Sequence, residues 1–342
     1  MNDTWPRARG PELGTATIRQ CPEDFLVREQ LGFCPSGAGE HCFLYLRKRN
    51  LTTSELRELI ADVAAVSPVA IGYCGMKDRN AVTEQWFSIG LAGRTEPDWS
   101  RLEAGTGVEL LAKGWHRRKL RRGVHQANKF SLVLRDLDAD NQALEKRLQV
   151  VREEGVPNYF GEQRFGRNGS TLRQAREWMR RGRRVSRDRR SLYLSALRAW
   201  VFNGVLAQRV RQGDWNLVRP GDRCMLRGSR SHFGCDTVTE DIVSRAAAGD
   251  LSPGLPLWGQ VSGDGGELLT VMDEEARAVC EFLTEAGLTL PWRSTRLLPD
   301  DFSWQFCDDG SLHLGFDLVA GSYATALLAE CLLYKNGAVR EH

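Results

Sequence analysis

The stretch Gly75-Met76-Lys77-Asp78-Arg79-Asn80-Ala81-Val82-Thr83-Glu84-Gln85 sets an acid between two bases, with strand-like sequence on either side. A carboxylate held on such a turn can serve as a nucleophile if it is ionised, accessible and accompanied by a cation that favours its charged form. An aspartate in a glycine-flanked turn more commonly bonds nearby backbone amides. Lys77 and Arg79 are the nearest cations in sequence, yet side chains adjacent along an extended chain point apart. A cation from a distant segment is therefore the better partner for Asp78.

The elements around this turn must hold it. Thr15 to Leu31 alternates in places, with Phe25, Val27 and Glu29 on one side, and His41 to Arg47 alternates again, so both read as strands. Thr52 and Glu55 form a capping box ahead of Leu56, Leu59, Ile60 and Val63, which share a helical face that should end near Ser67-Pro68. Val69 to Cys74 and Val82 to Ile89 then read as strands joined by the Asp78 turn. Asn128 to Leu134 supplies another strand, and Gln142 to Val151 and Leu192 to Arg211 supply helices. Residues 213 to 270 carry short strand-like runs, followed by a helix at Asp273 to Glu285 and a strand at Leu312 to Val319. The most apolar stretch, Leu318 to Tyr334, is too short to span a membrane and reads as a buried helix.

At 342 residues the chain has room for two cores, and its net charge of +3 conceals a polarised distribution. Lys113 to Arg122 holds six basic residues and no acid, and Arg173 to Arg190 holds nine arginines against Glu177 and Asp188. Residues 264 to 309 hold eleven acids against three arginines. A basic middle suits a polyanion, although such runs are often only solvated faces. Nine cysteines without a C-x-x-C pair suggest reduced thiols in a cytoplasmic protein. The six histidines show no metal-ligand spacing, and no phosphate-binding or dinucleotide-binding glycine motif is present, so neither metal nor cofactor is expected.

The turn resembles the G-x-K-D-x-x-A-x-T-x-Q motif of the TruD family of pseudouridine synthases, with every fixed position filled. Further segments resemble the family in the same order: Pro22-Glu23-Asp24-Phe25, Asn128-Lys129-Phe130, the run Pro157-Asn158-Tyr159-Phe160-Gly161-Glu162-Gln163-Arg164-Phe165-Gly166, and Gly321-Ser322-Tyr323-Ala324-Thr325. The resemblance implies that Asp78 is the nucleophile, that Phe25 lines a uridine pocket, that Asn128 contacts substrate, and that Phe130 stands where other pseudouridine synthases have a tyrosine. Tyr323 falls where phenylalanine is common, which keeps the aromatic face and adds a hydroxyl. Arg19 falls where lysine is common and becomes the expected cation beside Asp78.

The same resemblance implies an α+β fold: a pseudouridine synthase core of residues 1–155 and 298–342, with an inserted α+β domain at 156–297. It implies isomerisation of uridine 13 in the D arm of tRNA, by cleaving the N1 to C1′ bond, turning the uracil and rejoining it through C5. No redox change or group transfer occurs, so no cofactor is required. A flipped base costs a few kcal/mol to unstack, and stacking on rings such as Phe25, Phe130 and Tyr323 offsets about 1–3 kcal/mol. Arg117, Arg118, Lys119, Arg121, Arg122 and Arg164 are the expected RNA contacts, and a monomer is expected. The alternatives are an RNA-binding protein without catalysis and a hydrolase that would release uracil.

Overall fold

The computed structural model describes residues 5–260 and 272–337. Its contacts divide the chain into two compact units, one built from residues 13–144, 299–321 and 332–342, the other from residues 1–12, 145–298 and 322–331. Asp78 belongs to the first.

That unit is a mixed ten-stranded sheet. Its strands are β1 (Gly14–Ile18), β2 (Phe25–Gln30), β3 (His41–Arg49), β4 (Ile71–Tyr73), β5 (Val82–Gly90), β6 (Val108–His116), β7 (Ala127–Ala139), β14 (Asp300–Phe306), β15 (Leu312–Val319) and β16 (Leu333–Asn336). The main path runs β14-β15-β7-β2-β5-β3-β6, with β1 joining β7 to β16 and β4 pairing with β5. Two pairings, β2 with β5 and β1 with β16, are parallel, and the others are antiparallel.

The 13-residue β7 organises this arrangement. Residues 127–134 pair with β15 and residues 127–132 with β2, while residues 135–139 pair with β1. The change of partner occurs at a bulge where Asp136 takes φ 49° and accepts from the Thr17 hydroxyl at 2.8 Å. A bulge bends its strand and increases local twist, which lets β7 serve two neighbours along one edge. The alternation expected for Thr15 to Leu31 is accordingly interrupted: β1 stops at Ile18, Arg19 turns left-handed at φ 55°, and a short 3-10 turn at Pro22–Asp24 leads into β2.

The even residues of β3, Cys42, Leu44 and Leu46, pack under helix α1 (Thr53–Ala64) through Leu56 and Ile60. Its capping box is formed: Glu55 N donates to Thr52 Oγ1 at 3.1 Å and Thr52 N donates to Glu55 Oε2 at 2.7 Å. The helix ends at Ala65 in the left-handed conformation, ahead of Ser67-Pro68.

The other unit is mainly helical around a small sheet. It contains α3 (Ser170–Arg181), α4 (Arg187–Gln212), α5 (Glu240–Ala247), α6 (Glu274–Glu285) and α7 (Ala324–Ala329), entered by α2 (Asn141–Glu154). A four-stranded sheet is formed by β9 (Arg223–Leu226), β10 (His232–Gly234), β11 (Leu251–Pro256) and β12 (Trp292–Ser294), and β8 (Val156–Pro157) pairs with β13 (Arg296–Leu297). Leu194, Leu197, Val201 and Phe202 on α4 enter a core shared with Trp258, Val279 and Leu283. Among the described residues no helix is long and apolar enough to cross a membrane.

The buried helix expected over Leu318 to Tyr334 forms only in part, as the short α7 that follows Gly321-Ser322. The stretch contains the end of β15, a break at Gly321 with φ 87°, the short α7 and then β16. A continuous apolar run fits a buried strand as well as a helix, and the glycine conformation decides between them.

The capping box yields a direct test. Thr52→Ala should lower stability by about 1 kcal/mol and speed amide exchange at the first turn of α1, measured by denaturant unfolding and hydrogen exchange.

Candidate active site

Between β4 and β5 the chain from Gly75 to Ala81 forms neither helix nor strand. Buried side chains hold it instead. Gln85 Nε2 donates to the Gly75 carbonyl at 2.6 Å, Lys77 N donates to Thr53 Oγ1 at 2.9 Å, and Lys48 Nζ donates to the Asp78 carbonyl at 2.8 Å. Thr53, Gln85 and Lys48 are each fully buried. Burial presses the Lys48 amine down from 10.5 to about 8, with the Asp78 charge opposing that shift. The loop is thereby fixed while its central carboxylate stays open, at 44% side-chain exposure.

Arg19 reaches that carboxylate from the end of β1, with Nη2 at 2.8 Å from Asp78 Oδ2. Its own side chain is 9% exposed, and Nη1 donates to Asn336 Oδ1 on β16 at 3.0 Å. The guanidinium carbon also lies 3.8 Å from the centroid of the Phe25 ring. Because only one face of the pair meets solvent, the interaction is less screened than a surface salt bridge.

The Pro22-Glu23-Asp24-Phe25 segment makes the turn that brings Phe25 there. Proline starts a 3-10 turn, Asp24 accepts from Cys21 N at 3.0 Å, and Arg135 Nη2 lies 2.8 Å from Asp24 Oδ1. Burial alone would raise the Asp24 carboxyl, but Arg135 and the Cys21 amide outweigh it and hold it below the usual carboxylate range.

Register places the remaining groups of this unit. Glu29 stands opposite Asn128 and Val27 opposite Phe130 across β2 and β7. Period-two alternation puts Asn128 and Phe130 on one face. Phe25 meets Phe130 edge-on at 6.2 Å, and Phe130 stacks on Phe316 at 5.3 Å. Arg19 thus meets both Asp78 and Phe25, and Phe130 joins them through Phe25.

Several participants were not among the expected site residues. Lys77 is buried, with Nζ 3.2 Å from Glu29 Oε2 and donating to Asn128 Oδ1, whereas Arg79 pairs with Glu55 at the surface. Glu29, Cys74 and His125 each bring one donor atom to within 4.8 Å of one another. Lys77 already supplies positive charge to this set, so a divalent ion would have to displace its ammonium. Histidine spacing gave no sign of the cluster because its members come from three separate segments. A signal did exist for Lys48 and Glu29: each continues the apolar face of a strand with a charged residue.

Tyr323 and Arg164 lie in the other unit. Arg164 Nε donates to the Tyr323 hydroxyl at 2.9 Å and Nη1 to Ser195 Oγ at 2.9 Å, while the Tyr323 ring meets Phe160 edge-on at 5.9 Å. The surrounding motif is a structural knot. Asn203 exchanges two hydrogen bonds with the Phe160 backbone, and Arg293, which burial brings down to about 10, holds Asn158 Oδ1 at 2.6 Å.

The basic segment after β6 is anchored at its middle. Leu120 N donates to Ser88 Oγ at 2.9 Å, and Gly72 leaves the space, since a Cβ there would stand 2.4 Å from the Leu120 carbonyl. Lys119 donates to the Val69 carbonyl and Arg122 to the Tyr73 hydroxyl at 3.0 Å. Arg117, Arg118 and Arg121 are exposed.

The profile described as tRNA pseudouridine synthase D (TruD) matches residues 11–175 and 169–331. The chain belongs to the TruD family. A tRNA pseudouridine synthase D from Methylococcus capsulatus is 43% identical over 333 residues, covering 96% of this chain and 94% of the relative. Another, from Chromohalobacter salexigens, is 39% identical with 96% of both chains covered. A solved TruD structure from Methanosarcina mazei shares the fold, with a TM-score of 0.63 at 21% identity over 96% of this chain and 95% of that one. TruD proteins are isomerases that convert uridine to pseudouridine, and the α+β expectation agrees with this match.

Lys48 gives the loop a measurable pH signature. Unfolded Lys48 keeps its proton up to about 10.5, whereas the folded residue sheds it from about 8, so this group makes the fold more stable as pH rises through that window. The stability difference between wild type and Lys48→Met should therefore increase from pH 8 to 10.5, measured by denaturant unfolding at several pH values.

Proposed function

We propose that this chain isomerises uridine 13 in the D arm of tRNA and that Asp78 is its nucleophile. The observation that carries the reading is the half-exposed Asp78 carboxylate, ion-paired to a buried Arg19 on a loop pinned by three fully buried side chains. In this reading residues 1–155 and 298–342 form the catalytic domain, and residues 156–297 form the family's inserted domain.

The flipped uridine enters beside Phe25 and Phe130, and Asn128 bonds the uracil. Asp78 adds to C1′ as the N1 to C1′ bond breaks, and the electron pair leaves with the uracil. The base turns so that C5 faces the sugar. C5 bonds to C1′ as the carboxylate departs, the C5 proton is lost and N1 gains one, leaving an isomer of the starting nucleoside. Arg19 favours the carboxylate both before attack and after departure. Arg117, Arg118, Lys119, Arg121 and Arg122 contact RNA. The chain works as a cytoplasmic monomer without metal or cofactor.

Unmodified tRNA tritiated at uracil C5 tests the chemistry. Wild type should release tritium to water while the RNA keeps its mass, and free uracil would mark a hydrolase instead. Asp78→Asn should abolish release and leave tRNA affinity within a few-fold; normal turnover by that variant would refute the nucleophile assignment.

A second measurement concerns the basic segment. Neutralising Arg117, Arg118 and Arg121 together should weaken tRNA binding and reduce the slope of log affinity against log salt by roughly 0.7–0.9 for each phosphate that no longer meets a cation.

A further inference from the structure

Lys77 has no part in the chemistry just described, yet its side chain is buried at the centre of a polar network that ends at His125, whose Nδ1 is buried without a hydrogen-bond partner among the described residues. Its Nζ lies 3.2 Å from Glu29 Oε2, with a Glu29 side chain that is itself fully buried. The other Glu29 oxygen, Oε1, accepts from Trp86 N at 3.2 Å. The Cys74 thiol, which burial pushes up to about 12, is hydrogen-bonded to Glu29. On its far side Lys77 donates to Asn128 Oδ1, and Asn128 Nδ2 lies 3.3 Å from His125 Nε2.

Donor and acceptor rules fix the protons of this chain. An ammonium can only donate, so the Asn128 atom that faces Lys77 is the carbonyl oxygen and the atom that faces His125 is the amide nitrogen. That nitrogen also only donates, so His125 Nε2 must accept. A neutral imidazole with Nε2 as acceptor carries its hydrogen on Nδ1.

We propose that Lys77 is a positioning residue for the uridine pocket: clamped by Glu29, it fixes the orientation of the Asn128 amide and, through that amide, holds His125 as the neutral Nδ1–H tautomer. The inference rests on the reading of Asn128 as a substrate contact. An Asn side chain can turn over about its last torsion, exchanging donor for acceptor toward the base, and a uracil edge distinguishes the two. Lys77 removes that freedom, because a turned amide would set NH₂ against NH₃⁺. Burial and the Lys77 charge also bring the His125 ring down to about 4, which agrees with a neutral imidazole beside an ammonium.

Nitrogen NMR of protein labelled with 15N-histidine tests the network without turnover. The His125 signals are assigned by their loss in His125→Gln. In wild type at neutral pH, Nδ1 should carry the hydrogen and Nε2 should have the shift of a bare ring nitrogen; an Nε2–H tautomer would overturn the proposal. Asn128→Asp places a carboxylate oxygen before the ring, so Nε2 should become protonated, and retention of the wild-type tautomer would count against the network. Glu29→Gln/Lys77→Met removes both buried charges together, which avoids leaving one uncompensated. This variant should show mixed His125 tautomers and a single-turnover rate reduced by up to about 100-fold, with tRNA affinity within about twofold. Unchanged ring signals and an unchanged rate would refute a positioning role. Wild type that released no tritium would refute the proposed function and leave the nitrogen result standing.

Discussion

Between Cys74 and Val82 the backbone leaves the sheet without entering a helix, and its polar groups must find partners among side chains. Met76, Asp78, Arg79 and Asn80 face solvent, but on the buried side of the loop water is excluded and an unsatisfied carbonyl costs about 1–3 kcal/mol. Lys48, Thr53 and Gln85 meet this requirement from three elements, and Thr53 and Gln85 are joined to each other at 3.1 Å. Much of the unit follows from that need. β3 runs on past its apolar residues so that Lys48 comes under the loop, and α1 begins where Thr53 can face it.

The result separates rigidity from exposure. An aspartate on a mobile surface loop would be accessible but unplaced, and one inside a strand would be placed but covered. Here the carbonyl of Asp78 is held from below while its carboxylate is held from the side by Arg19. The aromatic groups are ordered by the sheet itself: Phe25 opens β2, Phe130 lies two residues beyond Asn128 on β7, and Phe316 backs it from β15. The geometry around Asp78 is therefore carried by regular elements wherever they can carry it.

The capping box at Thr52 and Glu55, the strands flanking the Asp78 turn and the long helix through Leu192 to Arg211 were legible because each rests on local residue types and a clear period. The motif positions were equally legible as a set. Other features depend on distant partners and were not. β6 lies partly in a basic run whose charges obscure its alternation. The pairing of β1 with β16 joins opposite ends of the sequence. Lys48 and Gln85 looked like ordinary polar residues in strands, and only the path of the loop above them explains why they are buried. Glu29 stood on the same face as Phe25 and Val27 from the outset, but its partner, Lys77, could not be read from spacing.

The clasp on Arg19 has a consequence for biosynthesis. Asn336, which orients its guanidinium, follows Arg19 by 317 positions and lies on the strand that pairs in parallel with β1. A nascent chain presents Asp78 early, yet the Asn336 hydrogen bond that completes the clasp on Arg19, beside Phe25 and Asp78, forms only after β16 has left the ribosome. A fragment that stops before β16 would therefore keep Arg19 and Asp78 but lack the hydrogen bond to Asn336 that orients the guanidinium.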